Sequence, residues 1–327
     1  MSEPVGESGG ASGADAAIVV ESVGKSFGEV KALRDITFSV PTGSVLGVLG
    51  PNGAGKTTTV SILSTLTRPD SGRAVVAGYD VVTDAARVRS SIMLTGQYAA
   101  LDEMLSGREN LVLFGRLMGL RRKAAAQRAE ELLDQFSLTE AGDRRVGQYS
   151  GGMRRRIDIA CGLVRPPRVV FLDEPTTGLD PVSRQSLWAL IRSLKEQGVT
   201  ILLTTQYLEE ADALSDNIIV VDKGTVIAEG TADQLKARSG ESYCEVVPVD
   251  AANVPAVVAA LSELGQTTVA ESKDRVSIPA PGGAVTLSQA LERINAADIE
   301  LIDIALRRPS LDEVFIRLTQ PTVGADV

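Results

Sequence analysis

Residues 45–66 place an apolar strand, a glycine-rich turn and a helix in direct succession, which restricts the chain to very few architectures. The turn reads Gly50-Pro51-Asn52-Gly53-Ala54-Gly55-Lys56-Thr57-Thr58 and fits G-x-x-x-x-G-K-[ST]. Val45-Leu46-Gly47-Val48-Leu49 precedes it, and Val60, Ile62, Leu63 and Leu66 give the following helix its apolar positions. Its glycines let the backbone turn tightly enough to aim several N–H groups at one anion. The helix N-terminus adds partial positive charge, Lys56 can reach β/γ-phosphates, and the Thr57 hydroxyl can ligate Mg²⁺. The motif therefore predicts a cradle for a nucleoside triphosphate.

A chain of 327 residues suits one large domain or two unequal ones. Its net charge of −9 argues against a broad nucleic-acid-binding face. Arg121-Arg122-Lys123 and Arg154-Arg155-Arg156 are local basic clusters without interleaved aromatics. The first reads as a solvated helix end. In the second, one or two arginines are expected to face phosphate or carboxylates and the rest solvent. No apolar run reaches the length of a membrane span. Residues 1–16, rich in Gly, Ser, Ala and Glu, read as a disordered tail and not a signal peptide. Cys161 and Cys244 are far apart and read as reduced thiols. Histidine is absent, which excludes His-based triads and imidazole acid–base chemistry.

Between residues 17 and 240 short β-rich runs alternate with longer helical ones, predicting an α/β fold with a parallel core sheet. Strands are expected at 18–22, 36–40, 45–49, 169–172, 200–204 and 218–222. Helices are expected at 107–118, 122–136 and 183–197, the first two forming a helical insertion. Residues 241–320 carry a β-α-β-β-α-β order with one further helix at 311–318, which suggests a small α+β ferredoxin-like domain; 321–327 read as a tail.

Val169–Leu172 runs into Asp173 and Glu174. Asp173 at a strand end can serve Mg²⁺ beside Thr57, and Glu174 can polarise an attacking water. Alone the pair would equally suit a solvated loop start; the phosphate loop upstream favours chemistry. Tyr149-Ser150-Gly151-Gly152-Met153 lies 17 residues before that strand, counted from Gly152 to Val169. Ser-Gly-Gly opening a helix is an anion-binding end, although a plain helix cap would also explain Ser150.

Together these motifs resemble the ATP-binding subunits of ABC transporters. Tyr149 and Met153 depart from the usual L-S-G-G-Q signature, while Ser150, Gly151 and Gly152 keep the part that touches phosphate. The resemblance covers about two-thirds of the chain and implies a P-loop ABC ATPase domain with parallel core sheet, antiparallel β subdomain and helical subdomain. It implies that Phe27, 23 residues before Gly50, stacks on adenine; a packed core Phe is the competing reading. It implies that Gln97 senses Mg²⁺ and water, and that Asp180 in Gly178-Leu179-Asp180 meets a second subunit. Two copies would close head to tail around ATP, working with membrane-spanning permease subunits at the cytoplasmic face of the membrane.

Gln206, 32 residues after Glu174, stands where the family usually has His. It can donate a hydrogen bond to the γ-phosphate but cannot take up a proton. A weakly hydrolysing site is the competing reading, against which Glu174 and Asp180 both argue. Gln206 and the terminal Leu311-Asp312-Glu313-Val314-Phe315 resemble the daunorubicin/doxorubicin-resistance ATP-binding subunits of actinobacteria, a family with relatives in complex-lipid export. That resemblance implies a role for the C-terminal element in assembly; an ordinary amphipathic helix is the alternative. The other functional class is a soluble ABC ATPase acting on ribosomes or DNA. Ser150 follows Lys56 by only 94 residues, leaving no room for the coiled coil of DNA-repair members.

Overall fold

The computed structural model describes residues 15–96, 101–238, 242–270, 272–307, 310–311 and 313–315. Gln97, residues 1–14 of the expected tail and the chain beyond residue 315 lie outside the described residues. The chain forms two compact units that divide between Thr231 and Ala232.

The first unit opens with β1 (Ala16–Phe27), β2 (Val30–Pro41) and β3 (Val45–Leu49), followed by α1 (Lys56–Leu63). Next come β4 (Ser71–Val76), β5 (Tyr79–Asp80), α2 (Ala85–Ser91) and β6 (Ile92–Thr95). Helices α3 (Gly107–Leu117), α4 (Arg122–Gln135) and α5 (Gly151–Gly162) lead to β7 (Val169–Asp173). The unit continues through α6 (Pro181–Glu196), β8 (Thr200–Thr205), α7 (Leu208–Leu214), β9 (Asn217–Asp222) and β10 (Thr225–Gly230). Its ten strands are ordered β5-β4-β1-β2-β10-β9-β3-β8-β7-β6.

The strands β9, β3, β8, β7 and β6 run parallel to one another, with Val48 beside Thr204 and Asp173 beside the same Thr204, while β10 pairs antiparallel with β9. Every residue of β3, β7 and β8 is buried, as expected where helices cover both faces of a parallel sheet. This brings the ends of β3, β7 and β8 to one edge, where an open α/β sheet binds ligands. β1, β2, β4 and β5 pair antiparallel and join β10 through a single parallel pair, Thr225 with Asp35. Along β2, buried Ile36, Phe38 and Val40 alternate with exposed neighbours, so this layer presents one face to the core.

The helical insertion starts from a complete capping box: Glu109 N–H donates to Ser106 Oγ, and Ser106 N–H donates to the Glu109 carboxylate at 2.8 Å. Ala125, Ala129, Leu132 and Leu133 line the buried face of α4 at helical spacing. A Cβ on Gly115 would stand 2.9 Å from Ala125 Cβ, so the glycine permits α3 and α4 to approach closely. Tyr149, in the place of the usual signature leucine, is buried and its hydroxyl donates to the Ala141 carbonyl at 2.7 Å.

The second unit contains α8 (Ala232–Arg238), β11 (Tyr243–Pro248), α9 (Val254–Leu261), β12 (Thr268–Val269), β13 (Val276–Pro279), α10 (Ala284–Ala296) and β14 (Leu301–Arg307). Its sheet order, β12-β13-β11-β14, is antiparallel throughout. This is the arrangement of two interleaved βαβ units expected from the sequence. Val246, Val257, Leu261, Ile278 and Ile294 form its core, and each such side chain contributes roughly 1.5–3 kcal/mol on burial. Cys161 and Cys244 are free and buried, and burial pushes both thiols up.

The elements that sequence periodicity does not reveal are β4, β5, α2, β6, α7, α8 and β10. Most are too short to show a period: β5 has two residues, β6 four, and α2 and α7 seven each.

Candidate functional site

The turn after β3 is fixed by what surrounds it. A Cβ on Gly50 would meet the Val221 carbonyl oxygen at 2.3 Å, and one on Gly55 the Ala32 oxygen at 2.8 Å. Gly53 and Gly55 also have φ of 81° and 111°, the left-handed region that favours glycine. Gly55 is the N-cap of α1, with no side chain to satisfy the first turn's N–H groups, which suits them to an anion.

A cleft of about 740 Å³ opens over this turn, lined by residues 51–53, 55–58 and Glu174, with Glu29 and the first residues of β2, 30–32, as a further wall. Lys56 is almost fully buried; its ammonium donates to the Gly50 oxygen at 2.8 Å and the Pro51 oxygen at 3.2 Å. It also lies 3.5 Å from Glu174 Oε1. Ala54 is buried beneath the loop, and its N–H donates to the Pro51 oxygen. Phe27, at the end of β1, is 53% exposed, which removes the core reading, and it is not among the residues lining the cleft. The Lys25 ammonium stands 5.4 Å from its ring centroid.

The carboxylates come from the end of β7. Asp173 is buried, and Thr57 Oγ1 donates to its Oδ1 at 3.4 Å. An aspartate and a hydroxyl side by side form a hard oxygen donor set of the kind Mg²⁺ shares with phosphates and water. Among the described residues no cluster of three or more His, Cys, Asp or Glu could hold a metal without such help. Glu174 adopts φ of 46°, which turns the chain sharply out of the strand.

One residue orders both acids. Thr204, fully buried at the end of β8, donates to Asp173 Oδ1 at 2.5 Å. The Glu174 N–H donates to Thr204 Oγ1 and to its carbonyl, each at 3.1 Å. In the sequence Thr204 is only the end of a strand; its role depends on the parallel pairing of Asp173 with Thr204, which no local pattern shows. Gln206 follows two residues later, half-buried, at the same edge of the sheet.

Ser150, Gly151 and Gly152 are not among the residues lining this cleft. Ser150 caps α5, accepting from the Met153 N–H at 3.3 Å, and it and Gly151 are exposed. A Cβ on Gly152 would lie 2.3 Å from Ser183 Oγ, so the glycine lets α5 meet the start of α6. Exposed Asp180 caps that helix, accepting from the Ser183 N–H at 2.9 Å and its hydroxyl at 2.6 Å. Those hydrogen bonds hold the Asp180 carboxyl below its ordinary range. Ser150, Gly151 and Asp180 are thus exposed together, apart from the phosphate cleft, with Gly152 buried beneath them. All three arginines after Met153 engage protein groups. Arg154 pairs with Glu103 at 2.7 Å, Arg156 donates to the Phe136 oxygen at 3.0 Å, and Arg155, partly buried, donates to the Pro175 oxygen just past the end of β7.

A phosphate cradle, two ordered carboxylates and a Ser-Gly-Gly helix facing outward on a curled mixed sheet define an ATP-binding-cassette ATPase. Residues 33–177 match the ABC transporter family model, and residues 230–319 match the C-terminal domain of DrrA1-3-like ATP-binding proteins. The chain is 61% identical to a doxorubicin resistance ATP-binding protein of Mycobacterium tuberculosis, over 93% of this chain and 94% of that protein. It is 54% identical to a daunorubicin resistance ATP-binding protein of Streptomyces coeruleorubidus, over 94% and 96% of the two chains. It is 35% identical to a linearmycin resistance ATP-binding protein of Bacillus subtilis, over 93% and 98%. A solved ATP-binding subunit of an ABC transporter superposes with a TM-score of 0.61 at 28% identity, covering 68% of this chain and 92% of that one. A dimeric ATP-binding cassette bound to ADP and Pi superposes with a TM-score of 0.60 at 25% identity, covering 65% and 98%. The chain belongs to the DrrA-like family of ABC-transporter ATP-binding subunits. It is the ATPase component of a membrane transporter, and no helix among its described residues is long and apolar enough to cross a membrane.

Proposed function

We propose that the chain powers export of a hydrophobic drug of anthracycline type, or of a complex lipid, through separate membrane-spanning subunits at the cytoplasmic face of the membrane. The observation that carries this reading is similarity to drug-resistance ATP-binding proteins along nearly the whole chain, C-terminal unit included.

In this reading two copies close on ATP. Lys56 and the N–H groups of residues 50–58 bind the β/γ-phosphates, and Phe27 stacks on adenine. Thr57 and Asp173 would hold Mg²⁺, with Gln97 joining them as the family resemblance implies. Bound there, the ion offsets charge building on the phosphate oxygens. Glu174 accepts a proton from the attacking water, and Gln206 donates to the γ-phosphate. Ser150, Gly151 and Gly152 complete the partner's site, and Asp180 meets the partner beside them. The rate comes chiefly from positioning and electrostatic stabilisation, as in phosphoryl transfer generally.

The test is replacement of Lys56 by Ala in cells that express the transporter, followed by efflux of a fluorescent anthracycline and analysis of surface lipids. Loss of either export supports the reading and names the substrate class. Normal drug efflux together with unchanged surface lipids would refute it.

A further inference from the structure

We infer that Arg155 is a positioning residue for Glu174, tying the attitude of that carboxylate to the helix that carries Ser150, Gly151 and Gly152. Arg155 is the fifth residue of α5, and its side chain is only 12% exposed. Its Nε donates to the Pro175 oxygen at 3.1 Å and its Nη2 to the Asp173 oxygen at 3.5 Å, so the guanidinium grips the carbonyls on either side of Glu174. The same group donates through Nη1 to the Gly96 oxygen at 2.9 Å and through Nη2 to Thr95 Oγ1 at 3.3 Å, at the end of β6. Asp158, one turn further along α5, lies 3.5 Å away and balances the buried charge.

Glu174 needs such support. Its φ of 46° is a conformation that a non-glycine residue keeps only when its surroundings enforce it. Thr204 holds the Glu174 N–H from β8, and Arg155 holds the flanking carbonyls from α5. A planar fork of fixed donors can serve several acceptors at once, whereas a lysine offers a single point charge. The N-terminus of α5 is the surface assigned above to the partner's ATP. A shift of α5 on closure is therefore carried through one rigid side chain to the carbonyls that aim Glu174. Hydrolysis at one site would in this way respond to the nucleotide bound across the dimer.

This inference rests on the proposed role of Glu174, and the experiment separates the two. ATP turnover is measured for the full chain, with its membrane subunits where they co-purify, in Arg155→Lys, Arg155→Met, Glu174→Gln and the Arg155→Lys/Glu174→Gln double variant. Arg155→Lys is expected to lower kcat about tenfold or more while the KM for ATP stays within about twofold. In the Glu174→Gln background the same change should bring little further loss, because both act through one group. Should Arg155→Met not fold, the charge-keeping Arg155→Lys variant still gives the reading. A wild-type kcat in Arg155→Lys would overturn the inference. So would an equal fold-loss in both backgrounds, or parallel changes in kcat and nucleotide binding. Undiminished turnover in Glu174→Gln alone would instead remove Glu174 from its role.

Discussion

The Lys56 ammonium lies 3.5 Å from the Glu174 carboxylate, with both side chains withdrawn from solvent. One comes from the turn after β3 and the other from the end of β7, so the parallel sheet brings the proposed phosphate binder and proton acceptor together. Replacing Glu174 with Gln keeps the shape and removes the acceptor. ATP should still bind, turnover should fall by about 10²–10⁴-fold, and a closed ATP-bound dimer should accumulate. Size-exclusion chromatography with ATP, beside a phosphate-release assay, checks both outcomes.

Thr204 is predicted to matter beyond its place in a strand. Thr204→Val removes the donor to Asp173 Oδ1 and one of two acceptors for the Glu174 N–H. Leaving buried polar groups unpaired costs about 1–3 kcal/mol, so the denaturant midpoint should drop. Mg²⁺-dependent ATPase should drop further than stability alone explains, since Asp173 loses its fixed orientation. Titrating Mg²⁺ at saturating ATP in the folded variant measures that second effect.

With Gln206 in the switch position and no histidine in the chain, turnover should lack an imidazole limb. The unperturbed histidine value is about 6.5, and a protonating switch would make activity change steeply around it. The kcat profile is predicted to cross that region without such a step. A steep loss there, with folding and nucleotide binding intact, would count against the assigned roles.

The second unit has a core of its own, built on Val246, Val257, Ile278 and Ile294. Deleting residues 241–327 is predicted to leave nucleotide binding in place while weakening assembly or coupling. Binding of a fluorescent ATP analogue and export in cells, measured side by side, test this; unchanged export by the truncated chain would refute it.

Much of this site is legible from residue order alone. The phosphate loop and Ser150-Gly151-Gly152 each carry a local signature, because their glycines mark backbone geometry that few residue types allow, whereas Asp173-Glu174 stands out only in company with the phosphate loop. The buried strands β3, β7 and β8 are equally plain, since strands covered on both faces are apolar throughout. Thr204 and Arg155 are not legible. Their importance arises from contacts 31 and 18 residues away in sequence, to Asp173 in both cases, and no local period encodes them. Short elements such as β5 and β6 escape for a related reason: tertiary pairing, and not their own sequence, makes them strands.

The most direct test of the account is to purify the Glu174→Gln chain from mild-detergent extracts with ATP and Mg²⁺ and to identify every protein that accompanies it. Multi-span membrane subunits are expected in stoichiometric amount, bound to a pair of these chains. Ribosomal or DNA-bound material with no membrane subunit would contradict it.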